Sequence, residues 1–281
     1  IFLNESFASY SHTVWNGHIN GEDDLTYQRW LYLDKYLNFV AETGTVRPLE
    51  YFRYDASGDM YTQPITYVKG ALVLHMLRQI MGDRSFYRGI SHYLHSNEFS
   101  EVDSYDFQRA MEESSGMNLN AFFEDWIRGG GGFPDIRVSS QWSEQRKQLD
   151  LSLEQVQADL AFENDFQLPV EVEIVTASGS EVHTVTLKGW STIVSLPADT
   201  EPLMVNVDKG NWLVASAAGI SLVAITTLAA TAGASLPLLF NRIGLDPALM
   251  SAPFIATATD VAGVFIYLHT ARWLLDRFPG G

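Results

Sequence analysis

The chain has 281 residues, 46% of them hydrophobic, enough for a buried core in one large or two ordinary domains. Its net charge of −16 argues against a nucleic-acid partner, because phosphate binding needs a surplus of Lys and Arg. With no Cys at all, disulfide frameworks, thiolate metal sites and Cys nucleophiles are excluded together.

The charge is unevenly placed. Of the 34 acids and 18 bases, residues 213–281 hold only three of each: Asp246, Asp260 and Asp276 against Arg242, Arg272 and Arg277. The remaining 31 acids and 15 bases lie in residues 1–212. From 210 to 241 there is no charged residue in 32 positions. So abrupt a change of character marks a change of solvent, and it puts a boundary near Trp212.

Residues 1–128 read as helices. In "ITYVKGALVLHMLRQIMGD" Leu72, Met76 and Ile80 recur on one face with Val73 and Leu77 beside them, and Gly82 supplies the stop. "DSYDFQRAMEESSG" starts on the capping residues Asp103 and Ser104 and ends at Gly116. "NLNAFFEDWIRG" repeats the design with Phe122, Phe123, Trp126 and Ile127 as its apolar side. The run "GGGG", within a linker over 129–134, should hold neither helix nor strand.

After Pro134 the hydrophobic period drops from 3.6 to 2. "DIRVSSQW", "LDLSL", "QLPVEVEIVTA", "EVHTVTLKG", "TIVSLP" and "PLMVNVD" predict short strands of an antiparallel β-sandwich over 135–212. Val170, Val172 and Ile174 should face inward, with Glu171 and Glu173 outward. Residues 213–281 change again. "LVASAAGISLVAITTLAATAGASLPLLF" exceeds the ~20 apolar residues needed to cross a bilayer core. Its many Ala, Gly, Ser and Thr suit close packing against partner helices in lipid. After the turn "NRIGLDP", "ALMSAPFIATATDVAGVFIYLHTARWLL" predicts a second membrane-spanning helix with Asp260 near its middle. A carboxylate there either serves an ion, with magnesium the fitting choice for an oxygen donor, or pairs as a neutral acid between helices.

"FLNESFASY" resembles the W-L-N-E-G-F-A segment of the gluzincin zinc aminopeptidases, the alanyl aminopeptidase and leukotriene A hydrolase family, with Phe2 for Trp and Ser6 for Gly. "TYVKGALVLHML" resembles that family's Y-x-K-G-A motif, and "SGMNLNAFFEDWIRGGGGFPDIRV" its passage from helical catalytic domain to β-sandwich. The resemblance covers residues 1–212. It implies the helical C-terminal half of a thermolysin-like catalytic domain at 1–128, and a hydrolase that releases N-terminal residues from a peptide substrate. It makes Glu5 the third zinc ligand and Tyr67 the phenol that stabilises the oxyanion. Taken by themselves, Glu5 is a helix-start carboxylate and Tyr67 a packed aromatic. The family's H-E-x-x-H and G-x-M-E-N stretches are not in the sequence; the seven histidines, His12, His18, His75, His92, His95, His183 and His269, read as surface or capping residues. The resemblance thus implies a start inside the zinc site, past the two His ligands and the general base, and an inactive chain.

"GISLVAITTLAATAGASLPLLFNRIGLDPALMSAPFIATATDVAGVFIYL" resembles the last two membrane helices of MgtE-type magnesium transporters. That resemblance covers about 214–270, makes Asp260 the pore residue that contacts magnesium, puts Thr257 on the same path, and implies contact with membrane lipid in a bacterial inner membrane. Three expectations follow: a zinc aminopeptidase fragment, a magnesium transporter fragment, or an inert chimera of two truncated genes.

Overall fold

The computed structural model describes residues 2–53, 56–129, 131–157 and 164–218. Both expected membrane helices lie outside the described residues apart from 213–218, and Asp260 and Thr257 lie outside them altogether. Among the described residues no helix is long and apolar enough to cross a membrane.

The helical part runs α1 (Phe2–Asn20), α2 (Glu22–Thr43), the short α3 (Ser57–Met60), α4 (Gly70–Met81), α5 (Asp83–Ser96), α6 (Ser104–Ser115) and α7 (Asn120–Phe123). Two wider π-helical turns interrupt it, Pro64–Lys69 leading into α4 and Glu124–Arg128 prolonging α7. The punctuation read from sequence holds. The Asp103 carboxylate accepts from the N–H groups of Tyr105 and Asp106, and Gly116 closes α6 in the left-handed conformation that glycine takes at least cost. Gly82, at φ 75°, ends α4.

α4 differs from the one-sided stripe its periodicity suggested. Residues 71–77 are all buried, because α1, α2 and α5 pack around it. Met76 and Leu77 are fully enclosed, whereas Ile80, nearer the end, is only half-buried. A helix enclosed on every side is the centre of a bundle, and a hydrophobic period cannot show that.

All six expected strands form: β1 (Asp135–Ser143), β2 (Gln148–Gln155), β3 (Leu168–Thr176), β4 (Gly179–Leu187), β5 (Ser191–Pro197) and β6 (Met204–Val207). With a seventh, β7 (Ser216–Ala218), they make two sheets, in the orders β5-β2-β1-β7 and β4-β3-β6. In β3, Val170, Val172 and Ile174 are buried and Glu171 and Glu173 are not, the alternation a two-faced sheet requires. Buried Leu149, Leu151 and Leu153 of β2 belong to the same core. Phe166, just before β3, packs on Trp126 of the second π-helical turn, the rings tilted by 41° with 4.7 Å between their centres.

The seventh strand was not legible. β7 (Ser216–Ala218) pairs in parallel with Asp135, Ile136 and Arg137 at the start of β1. Leu213 and Val214 are buried, and the Val214 N–H reaches Met76 Sδ at 3.1 Å. The strand part therefore extends past residue 212, where the loss of charge placed its end. The glycine run holds no helix or strand at its described positions, as expected, yet it is packed. Gly131, at φ 80°, lies so close to Arg47 that a Cβ would sit 2.4 Å from that residue's carbonyl carbon. The Tyr36 hydroxyl donates to the Gly132 carbonyl at 3.2 Å.

Candidate active site

Glu5 stands in the first turn of α1, where the positive end of the helix dipole favours a carboxylate. Tyr67 stands in the π-helical turn that precedes α4. Such turns widen the backbone ring and redirect a side chain, and they recur at functional sites. Here the fold brings the two residues together: the Glu5 carboxylate lies beside the Tyr67 phenol, close enough to act on it through its charge and as a hydrogen-bond acceptor. Burial, then the charge of Glu5, then that hydrogen bond push the phenol above its ordinary range. Both side chains remain partly open to solvent. A hollow of about 170 Å³ opens between the start of α1, residues 47–51 and the start of α6, with Leu3, Arg47, Glu50 and Thr66 in its wall; neither Glu5 nor Tyr67 lines it.

The crossing beneath the pair is tight. Ser6 is fully buried, and its hydroxyl donates to the Thr66 carbonyl at 2.7 Å. Gly70 lies against it: a Cβ there would come within 1.9 Å of Ser6 Oγ and 2.6 Å of Ser6 Cβ. The glycine of "YVKGA" is thus a steric requirement of α1 crossing α4. Lys69 points into the interior, fully buried, with Nζ 5.7 Å from the centre of the Tyr36 ring and no hydrogen-bond partner among the described residues. Burial draws its amine down to about 7.

The histidines divide. His92 is exposed and meets Glu113 of α6 at 2.8 Å, and His95 folds back on the Ser91 carbonyl, both surface roles as expected. His75 is a correction. It is buried, with Nδ1 3.2 Å from the Tyr10 hydroxyl, because α4 is enclosed on all sides. Burial first, then Arg29 and Arg78, hold its imidazole down at about 3, while burial raises Tyr10 to about 12.

A zinc ion of the kind the resemblance implies needs three protein donors around one point. His12 lies seven residues from Glu5 along α1, about 10 Å by helical rise, and it is exposed and beside Asn16. Among the described residues no group of three His, Asp or Glu side chains converges. The residues present do not fit zinc; they supply one carboxylate, with a phenol beside it. The sequence singled out Glu5 and Tyr67, which the fold brings near each other, and gave no sign of the buried Ser6, Lys69 and Tyr10–His75 contacts around them. Only the Lys-Gly pair in "YVKGA" hinted at a crowded interior.

The peptidase family M1 domain matches residues 1–126, and the MgtE divalent cation transporter family matches residues 175–270. The second match opens inside β3, well before the loss of charge at 210. A magnesium transporter MgtE of Thermus thermophilus is 49% identical over 67 residues, 24% of this chain and 15% of that protein. A probable aminopeptidase 2 of Sulfurisphaera tokodaii is 25% identical over 221 residues, 74% of this chain and 26% of the relative. The crystal structure of Legionella pneumophila aminopeptidase A with aspartic acid superposes at a TM-score of 0.55 and 16% identity, over 77% of this chain and 24% of that one. At that identity it shows a shared fold of helices and antiparallel sheets. The chain spans about a quarter or less of the length of these relatives. One polypeptide here joins a peptidase family M1 segment to an MgtE-type divalent cation transporter segment.

Proposed function

We propose that residues 1–218 are the part of a zinc aminopeptidase that carries one metal ligand, Glu5, and the oxyanion-stabilising phenol, Tyr67, and that these 281 residues alone hydrolyse no peptide. The observation that supports this is the meeting of Glu5 and Tyr67, which come from two separate motifs of one family. A phenol held beside a metal-binding carboxylate is placed to donate to the oxygen of a peptide carbonyl as negative charge develops there. A lone carboxylate binds zinc poorly, because water competes and nothing orders the remaining positions. The complete site would take its other donors and its general base from sequence these residues do not contain, and peptides with a free N-terminus are its substrate class. Zinc titration by calorimetry on the chain and on Glu5→Ala, beside an aminoacyl-naphthylamide assay, tests this. The expected result is no difference in zinc binding and no hydrolysis. Sub-micromolar binding that disappears in Glu5→Ala would overturn it.

The transporter match supports a second reading for residues 213–281. In it the apolar tail crosses lipid, with Asp260 the carboxylate that meets magnesium and partner helices supplied by another chain. The two readings meet in a third, a composite of two truncated genes that is inert as joined. Sequencing the locus across Trp212 decides between a natural fusion and a spliced one.

A further inference from the structure

We propose that Ser6 is a positioning residue for the Glu5–Tyr67 pair, its hydroxyl fixing the setting of α1 against the π-helical turn. This rests on the aminopeptidase reading only for the use made of the pair, since the contact itself is present whatever the chain does. Ser6 follows Glu5 on α1, and its hydrogen-bond acceptor, Thr66, precedes Tyr67. The 2.7 Å bond therefore ties together the two backbone segments that carry the pair, one residue away on each side.

Consecutive residues on a helix point about 100° apart. Ser6 can thus face inward, fully buried, while Glu5 faces the partly open site. Three features make the contact specific. A wide π-helical turn has looser internal geometry than an α-helix and gains most from an external tie. The donor is a short hydroxyl with almost no reach, so it holds one spacing. Gly70 closes off the alternative settings, because Ser6 Oγ and Cβ fill the space where its side chain would be. Alanine at position 6 would leave helix propensity satisfied, and with it the fold, but would release the turn. In a site whose chemistry depends on geometry, a displacement of about 1 Å can cost on the order of 100-fold in rate. A residue that touches neither substrate nor metal can act through such a shift.

The test reads the pair directly, without activity. The full chain is labelled with tyrosine carrying carbon-13 at Cζ, whose shift reports hydrogen bonding by the phenol, and spectra are taken at neutral pH. Tyr67→Phe assigns the resonance, and Glu5→Gln gives its position without the carboxylate. Ser6→Ala should move the Tyr67 signal most of the way to its Glu5→Gln position, leaving the buried Tyr10 and Tyr36 signals in place. Gly70→Ala, which pushes Ser6 Oγ off the Thr66 carbonyl, should do the same with a loss of thermal stability. The double variant Ser6→Gly/Gly70→Ala relieves the crowding, so it should recover the melting temperature while its Tyr67 signal stays displaced. That split between stability and signal is what a merely structural serine would not give. A Tyr67 signal unmoved in Ser6→Ala and in the double variant would overturn the proposal, as would a wild-type signal that Glu5→Gln leaves unchanged. The first result leaves the aminopeptidase reading standing, whereas the second would also remove the contact that supports that reading; failure of the zinc titration to behave as expected would leave this proposal standing. If Gly70→Ala does not fold, Ser6→Ala decides alone.

Discussion

The guanidinium of Arg29, on α2, donates to the carbonyl oxygen of Asn211 at 2.8 Å, and its other nitrogen reaches the Gly210 carbonyl at 3.4 Å. It thereby holds a turn in which Asp208 and Asn211 both take positive φ, at 58° and 46°. The Asp208 carboxylate completes that turn by accepting from the N–H groups of Trp212 and Leu213, both at 3.1 Å. A chain cut at 211 loses both of those donors together with what the turn feeds, namely Leu213, Val214 and β7. Each of the two buried side chains is worth about 1.5–3 kcal/mol of transfer free energy. Residues 1–211 are therefore expected to unfold in urea with about 3 kcal/mol or more less stability than residues 1–218. Coincident urea curves for the two would show that the strand part closes without β7.

Lys69 makes stability depend on pH in the alkaline range. Its folded amine is drawn down to about 7 from 10.5, so the unfolded chain holds a proton that the folded chain has given up. The contribution is fully present above pH 10.5 and is lost as pH falls toward 7, with a slope of up to about 1.4 kcal/mol per unit. Lys69→Met, which keeps the volume and removes the amine, is expected to be more stable than the parent at pH 7, with the gap narrowing toward pH 10. A gap that does not change with pH would mean the amine has found a partner.

His75 acts in acid. Its imidazole, ordinarily near 6.5, is held at about 3 in the fold, so protonation favours the unfolded chain. Its share of stability is intact above pH 6.5 and is lost as pH falls through that value toward 3. Denaturation followed from pH 7 to pH 4 should fall more steeply for the parent than for His75→Gln. Parallel profiles would require His75 to be reachable by water in the native state.

Tyr67 should show its role in a complete enzyme of the family M1 type that contains these residues. In that enzyme Tyr67→Phe is expected to lower kcat by about 100- to 1000-fold while KM changes little, the pattern of an interaction made mainly in the transition state. An equal loss spread over KM would mark the phenol as a substrate-binding group.

Asp260 is testable in a complete transporter of the MgtE type. Asp260→Ala there is expected to abolish magnesium uptake without impairing insertion, since a carboxylate at the bilayer centre costs about 2.5–3.5 kcal/mol. Uptake at the parent rate would reduce Asp260 to a packing residue.

What the sequence revealed follows the range of the forces involved. Caps, turns and alternation are local, so Asp103, Gly116 and the inward Val170, Val172 and Ile174 were readable, and so were six of the seven strands among the described residues. β7 was not, because three residues pairing with β1 from far along the chain leave no period, and their apolar neighbours resemble the start of a membrane run. The site was half legible. Glu5 and Tyr67 were singled out through family motifs, whereas Ser6 was visible only as a departure from one, its contact with Thr66 appearing only in the fold. His75 looked like a surface histidine because it shares a helix face with Arg78 and Gln79, and only its place one turn earlier, among the enclosed residues 71–77, buries it.

The parallel pairing of β7 with β1 also sets how the chain would bear load. A pull applied beyond Ala218 along the strand must slide three register pairs past Asp135, Ile136 and Arg137 together, rather than peel them one at a time. Behind them the buried Val214 and the Arg29 clamp anchor the strand's other end to α4 and α2. Tension arriving from the tail is delivered to the helical bundle as shear, so the last strand works as a grip.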